Sequence, residues 1–163
     1  MSTLFEPIRN RFYRKIEKDK DFFTYYNITT DEAIELAKKQ ANGYLIDAVD
    51  KLTNIYSPTD IDFYDYDELL EQFNVDLTNK EIGLLAGLMY EVYFERDLAL
   101  LKAFKIAMTP SDLNQFSPAS ERKTFTEMVD KIKLDNINNI DNYKSIDRLT
   151  GKRKTIDHSK YEY

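Results

Sequence analysis

Two threonine-led capping boxes, Thr29-Thr30-Asp31-Glu32 and Thr78-Asn79-Lys80-Glu81, set the frame for this chain. In each, a threonine hydroxyl and the glutamate can satisfy backbone N–H groups that the first turn of a helix leaves unpaired. Each box opens a run of more than twenty residues without proline. With 4 glycines and 4 prolines in 163 residues, the chain has few turn-formers and long elements. The expected class is all-α: a helical bundle with long central helices, an acidic loop or small hairpin insertion, and an extended C-terminal arm. Residues 1–143 form the expected helical domain and residues 144–163 an extended basic tail.

The helix from the first box runs to about Thr53 with Ile34, Ala37, Ala41, Leu45, Ala48 and Leu52 on one narrow stripe, where Gly43 is a candidate mark of close packing. The helix from the second box ends near Lys105. Its apolar residues, Ile82 and Leu85 through Leu101 and Phe104, cover much of its circumference and predict the central helix. Before them, Leu4 to about Lys20 reads as an amphipathic helix. Leu4, Ile8, Phe12 and Ile16 line its core face, Pro7 lies in its first turn, and Arg9, Arg11, Arg14, Lys15 and Lys18 form a basic back. A last helix is expected to begin at Ser117-Pro118, as N-cap and first helical residue, and to carry Phe125, Met128, Val129 and Ile132 inward. The Asn136–Asn139 stretch predicts a frayed or kinked end.

Between these helices lies an excursion. From Leu52 to Asn79 there are seven acidic side chains and no basic one, interleaved with Ile61, Phe63, Tyr64 and Tyr66. Ser57-Pro58 breaks the preceding helix, and Asp67 to Phe73 suggests a short helix. The alternation of acid and aromatic equally allows a small hairpin, or a strand given to a neighbour.

The net charge of −6 conceals a polarity. Residues 1–143 carry a net of −9 and residues 144–163 a net of +3. An acidic body repels phosphate backbones, which argues against general nucleic-acid affinity, yet suits a passage through which DNA slides. The absence of cysteine and the presence of one histidine, His158, argue against thiolate chemistry, most zinc sites and an enzyme. No apolar run reaches the length of a membrane span, and the charged start is unlike a signal peptide, so synthesis and retention in a cytoplasm are expected. No cofactor is expected.

Asp60, Asp62, Asp65, Asp67 and Glu71 imitate a calcium loop, with Glu71 twelfth from Asp60, but Tyr64 stands where an oxygen ligand is wanted and Asp65 where glycine is needed. His158 beside Asp157 lacks a nucleophile, and Gly151-Lys152-Arg153-Lys154 lacks the upstream glycine of a phosphate loop. The acidic loop reads instead as solvated or interface-facing, His158 as a surface histidine, and the basic run as a short patch for an acidic protein surface or nucleic acid, with protein favoured by the body's charge. The candidate protein-interface residues are Arg9, Arg14, Asp60, Asp62, Phe63, Tyr64, Asp65, Tyr66, Arg148, Lys152, Arg153, Lys154, Tyr161 and Tyr163. Tyr25 and Tyr26 are further aromatic anchors outside the helices.

The order KIEKDKDFFTYYNIT, DEAIELAKKQANGYL, DLTNKEIGLLAGLMYEVYFERD and FSPASERKTFTEMV, followed by a charged tail, resembles the head-tail connector proteins of tailed bacteriophages. These are the adaptor, head-completion or neck subunits beneath the portal. The likeness spans most of residues 10–143. It implies a structural virion protein made in the bacterial cytoplasm and located in the neck. It further implies a homo-oligomeric ring, usually of twelve, between the portal and the next neck or tail component. Residues 144–163 would be the portal-docking arm, DNA would pass transiently through the lumen, and no catalytic residue carries over. The basic first helix and the acidic stretch 52–79 are candidates for the two opposed faces such a ring needs. The alternative is a small cytoplasmic helical adaptor or regulator of a single protein partner.

Overall fold

The computed structural model describes residues 2–58, 60–116 and 118–155. Helix makes up 68% of the chain and strand 5%, which places it in the all-α class. The elements are β1 (Thr3–Leu4), α1 (Glu6–Ile16), α2 (Lys20–Phe23), α3 (Thr30–Lys51), a π-helical turn (Leu52–Tyr56), β2 (Tyr66–Asp67), β3 (Gln72–Phe73), α4 (Asn79–Ala107), α5 (Pro110–Phe116) and α6 (Ala119–Lys144).

Helix α4 is the hub, with α1, α3 and α6 packed around it. At 29 residues it extends about 44 Å. Its N-terminal two-thirds buries Ile82, Leu84, Leu85, Leu88 and Met89, while beyond Leu98 the cover thins and Leu100 and Ile106 are exposed. Both capping boxes form as the sequence predicts. Glu32 donates its N–H to the Thr29 hydroxyl and Glu81 its N–H to Thr78, and each glutamate carboxylate accepts the threonine N–H in return.

The first helix is shorter than its periodicity suggests. Phe5 N–H donates to the Glu71 carbonyl at 2.8 Å, so the backbone ahead of Glu6 is committed to a sheet; Leu4 lies in β1 and is half exposed. After Ile16 the chain turns, and α2 folds Phe22 edge-on against Phe12, with ring centroids 5.8 Å apart. Phe12, Phe22, Tyr44 and Tyr93 form one aromatic cluster between α1, α2, α3 and α4.

On α3, Ala41, Leu45 and Ala48 are buried, as is Leu52 just beyond it, but Ile34 is exposed. Gly43 is not a close-packing point: a Cβ there would meet nothing within 4 Å. The helix widens into the π-helical turn, whose i→i+5 bond runs from Ser57 N–H to the Leu52 carbonyl at 3.0 Å. Ser57, in the left-handed region at φ 45°, ends it.

The stretch Asp67–Phe73 is a hairpin turn, not a short helix. Asp67 Oδ1 accepts the N–H groups of Leu69 and Leu70 at 2.8 and 3.0 Å, an Asx turn that competes with helix, and Glu71 adopts φ 49°. The central strand β3 pairs antiparallel with both neighbours, Phe73 opposite Thr3 on β1 and Tyr66 on β2. Phe63 and Phe73 are buried, anchoring the insertion to the core.

Two expectations for the last helix are corrected. Pro118 occupies its N-cap position, not the first helical one; Ser117 lies outside the described residues. The asparagine stretch neither frays nor kinks it, since α6 runs unbroken to Lys144. Asn136 is buried and donates from Nδ2 to the Gly87 carbonyl (3.0 Å) and to Glu91 (2.7 Å), which ties that stretch to α4. None of the described helices is long and apolar enough to cross a membrane.

Candidate protein-docking site

The insertion is held by an arginine that sequence periodicity assigned to the solvent. Arg9 is 5% exposed and donates from Nη1 to Asn42 at 2.7 Å and to Glu71 at 2.8 Å; Asn42 Nδ2 also donates to Glu71 at 3.0 Å. The interaction joins α1, α3 and the hairpin. Burial would raise the Glu71 carboxyl, but the bonds from Arg9 and Asn42 outweigh it and hold the group below its ordinary value. The hairpin is thereby a fixed projection. At its tip Leu69 is 96% exposed and Leu70 61%, beside the acidic Asp67 and Glu68.

The first part of the tail returns to the body. Ser145 to Lys154 form a miniature hairpin with an Ile146–Arg153 bridge, Lys154 N–H donating to the Ser145 carbonyl, and Gly151 at φ 67° supplying the left-handed residue. Asp147 Oδ1 accepts from Thr150 N–H and hydroxyl at 2.7 and 2.6 Å, closing the turn. Polar contacts, not apolar area, dock it. Arg148 donates from Nε to Glu81 at 2.5 Å and from Nη2 to the Asp76 carbonyl, and Lys154 pairs with Asp60 at 2.8 Å.

Glu81 is fully buried and also accepts from the Tyr143 hydroxyl at 2.6 Å. Burial pushes its carboxyl up, but Arg148, Tyr143 and Thr78 together hold it below the usual range. A second buried carboxylate, Glu91, receives Lys51 at 2.6 Å; Lys51 bridges on to Glu95, which Lys133 also meets. Both acids are used in joining helices.

The predicted interface residues separate accordingly. Arg9 and Phe63 are interior, which corrects their assignment to a surface, and Arg148 is largely engaged with Glu81. Arg14, Asp60, Asp62, Tyr64, Asp65, Lys152, Arg153 and Lys154 are exposed, and Tyr66 is half-buried against Phe5 and Phe73. Asp62 and Asp65 serve their own loop, accepting from Tyr64 N–H and from Asn74 Nδ2. Among the described residues no group of His, Cys, Asp or Glu is placed to hold a metal. Tyr25 donates to Gln40 at 3.2 Å, while Tyr26 is exposed. Asp157, His158, Tyr161 and Tyr163 lie outside the described residues. The basic first helix and the acidic stretch are not simply opposed faces, because Arg9 and Glu71 bring them together within one chain.

Sequence reasoning missed Leu69 and Leu70, because a helix over 67–73 would hide one side. The available signal was Asp67 two residues before a leucine pair, an Asx-turn pattern. A second surface went unseen: a cleft of about 440 Å³ between the far end of α4 and the start of α6, floored by Leu98, Leu101 and Ala119 and rimmed by Lys102, Lys105 and Lys123. No protein-family model, curated protein or solved structure matches this chain.

Proposed function

We propose that this chain is a structural, non-catalytic subunit that holds other proteins, and that it serves as a head-tail connector of a tailed phage. In that role copies form a ring between the portal and the next neck or tail component. The observation that carries the protein-holding reading is the leucine tip on a hairpin pinned from beneath by Arg9. A rigid apolar projection loses little freedom on binding. The buried carboxylates Glu81 and Glu91 do not converge on a cleft; each is paired with a cation between elements, which favours a scaffold over a reaction centre. Residues 145–154 are folded back on the chain's own body and are not an extended arm, so what the connector reading draws on in the tail is the exposed pair Lys152 and Arg153 on its turn.

The test is the mass of the complex formed with a purified portal ring, by native mass spectrometry. A connector gives multiple copies per portal in one discrete stoichiometry. A single copy bound to one unrelated partner would favour the adaptor reading, and no binding to a portal would remove the connector assignment.

A further inference from the structure

We infer that the Leu69–Leu70 tip of one copy docks into the α4–α6 cleft of a second copy. The two surfaces are complementary in chemistry. The tip offers Leu69 and Leu70, with half-exposed Leu4 beside them, and an acidic rim of Glu6, Asp67 and Glu68. The cleft offers an apolar floor of Leu98 and Leu101 and a basic rim of Lys102, Lys105 and Lys123. The one cation beside the tip that lines the same shallow cleft with Leu70 besides Arg9 is Lys38, which faces Glu35 at 3.5 Å.

The separation of the two surfaces lets the contact be heterologous, and the side-by-side arrangement of the connector reading selects that form over a reciprocal two-fold pair. Tip and cleft share no residue: the hairpin leads into the N-terminus of α4 through residues 74–78, whereas the cleft occupies the last third of that helix. In that form each copy presents a tip to one neighbour and a cleft to the other, the arrangement that closes into rings or runs into filaments. Apolar anchors inside an opposite-charge rim suit a small contact whose charges guide encounter and register. The inference deepens the connector reading by assigning how copies meet, and rests on it for the side-by-side arrangement.

The chain has no cysteine, so single cysteines report the contact directly. Under mild oxidation, a mixture of full-length Leu69→Cys and Lys102→Cys should form the mixed disulfide at least about tenfold faster than Leu69→Cys with Lys39→Cys, an exposed lysine outside the cleft. In sedimentation velocity, Leu69→Asp with Leu70→Asp should abolish concentration-dependent association while leaving the helical circular dichroism unchanged. Lys102→Glu with Lys105→Glu should weaken association, and mixing that variant with Glu68→Lys should restore it in part. Cross-linking no faster than the control, or association unchanged in the double aspartate variant, overturns the inference. If rings still form on a portal in that case, the connector reading stands with a different contact; if none form, that reading fails on its own.

Discussion

Arg148, in the tail hairpin, donates to the fully buried carboxylate of Glu81 at the start of α4, 67 positions earlier in the chain. Glu81 thus completes a helix cap and anchors the tail with one side chain. Arg148→Ala leaves that carboxylate buried without its cation, and should destabilise the fold by roughly 3 kcal/mol in urea denaturation. The same variant should expose Lys152–Lys154 to faster trypsin cleavage, because the turn loses its deepest attachment.

Acid should loosen the same joints. Glu71, Glu81 and Glu95 are each pushed up by burial and pulled down further by Arg9, Arg148 and Lys133 respectively, with further donors assisting, so their folded values lie below the ordinary one. Unfolded, they titrate near about 4.3. The stabilisation they contribute is therefore present above that value and lost as pH falls through the depressed folded values. Asp47 and Asp97, raised chiefly by burial, act in the opposite sense above the ordinary aspartate value. Thermal unfolding followed by circular dichroism should show the melting temperature dropping steeply below about pH 4.5, with amides of residues 145–154 among the first to lose exchange protection.

Helix α6 approaches α4 closely at one glycine. A Cβ on Gly87 would stand 2.7 Å from Asn136 Oδ1, and Asn136 is held by its bonds to Gly87 and Glu91. Gly87→Ala should cost about 1–3 kcal/mol despite alanine's better helix propensity. In a double-mutant cycle, Asn136→Ala should remove the clash, so that the two substitutions together cost clearly less than their sum.

The hairpin depends on Arg9. Arg9→Met keeps the aliphatic volume but removes the donor from Glu71 and Asn42, and should destabilise by about 2 kcal/mol, less than a wholly buried pair because Glu71 is partly exposed. Amide exchange should rise in residues 66–73 more than in α4. A uniform rise across the chain would show that Arg9 supports the whole bundle and not the hairpin.

Capping boxes and hydrophobic period were enough to place α3, α4 and most of α6, because those signals are local. Apart from the local Asx turn at Asp67 and the N-cap at Pro118, what failed were choices settled at long range. Leu4 and Phe5 continue a helical stripe by spacing, yet the Glu71 carbonyl, far along the chain, captures their backbone. Arg9 reads as surface by its charge and is buried because Glu71 and Asn42 converge on it. Asn136 reads as a helix weakener and is a joint to α4. The tail has too little apolar area to show a packing face, so its pairing with Glu81 and Asp60 is what reveals where it docks. Of the candidate docking site, the acidic aromatic stretch and the basic turn stood out in the sequence as segments; the leucine tip did not, since its exposure follows from the turn at Asp67.

A cryo-electron microscopy reconstruction of phage particles that contain this chain shows its symmetry and its location together. The connector account predicts a closed ring of this chain in the neck, between portal and tail, with the leucine tips engaged on neighbouring protein. A ring elsewhere in the particle, or isolated copies away from the neck, would contradict it.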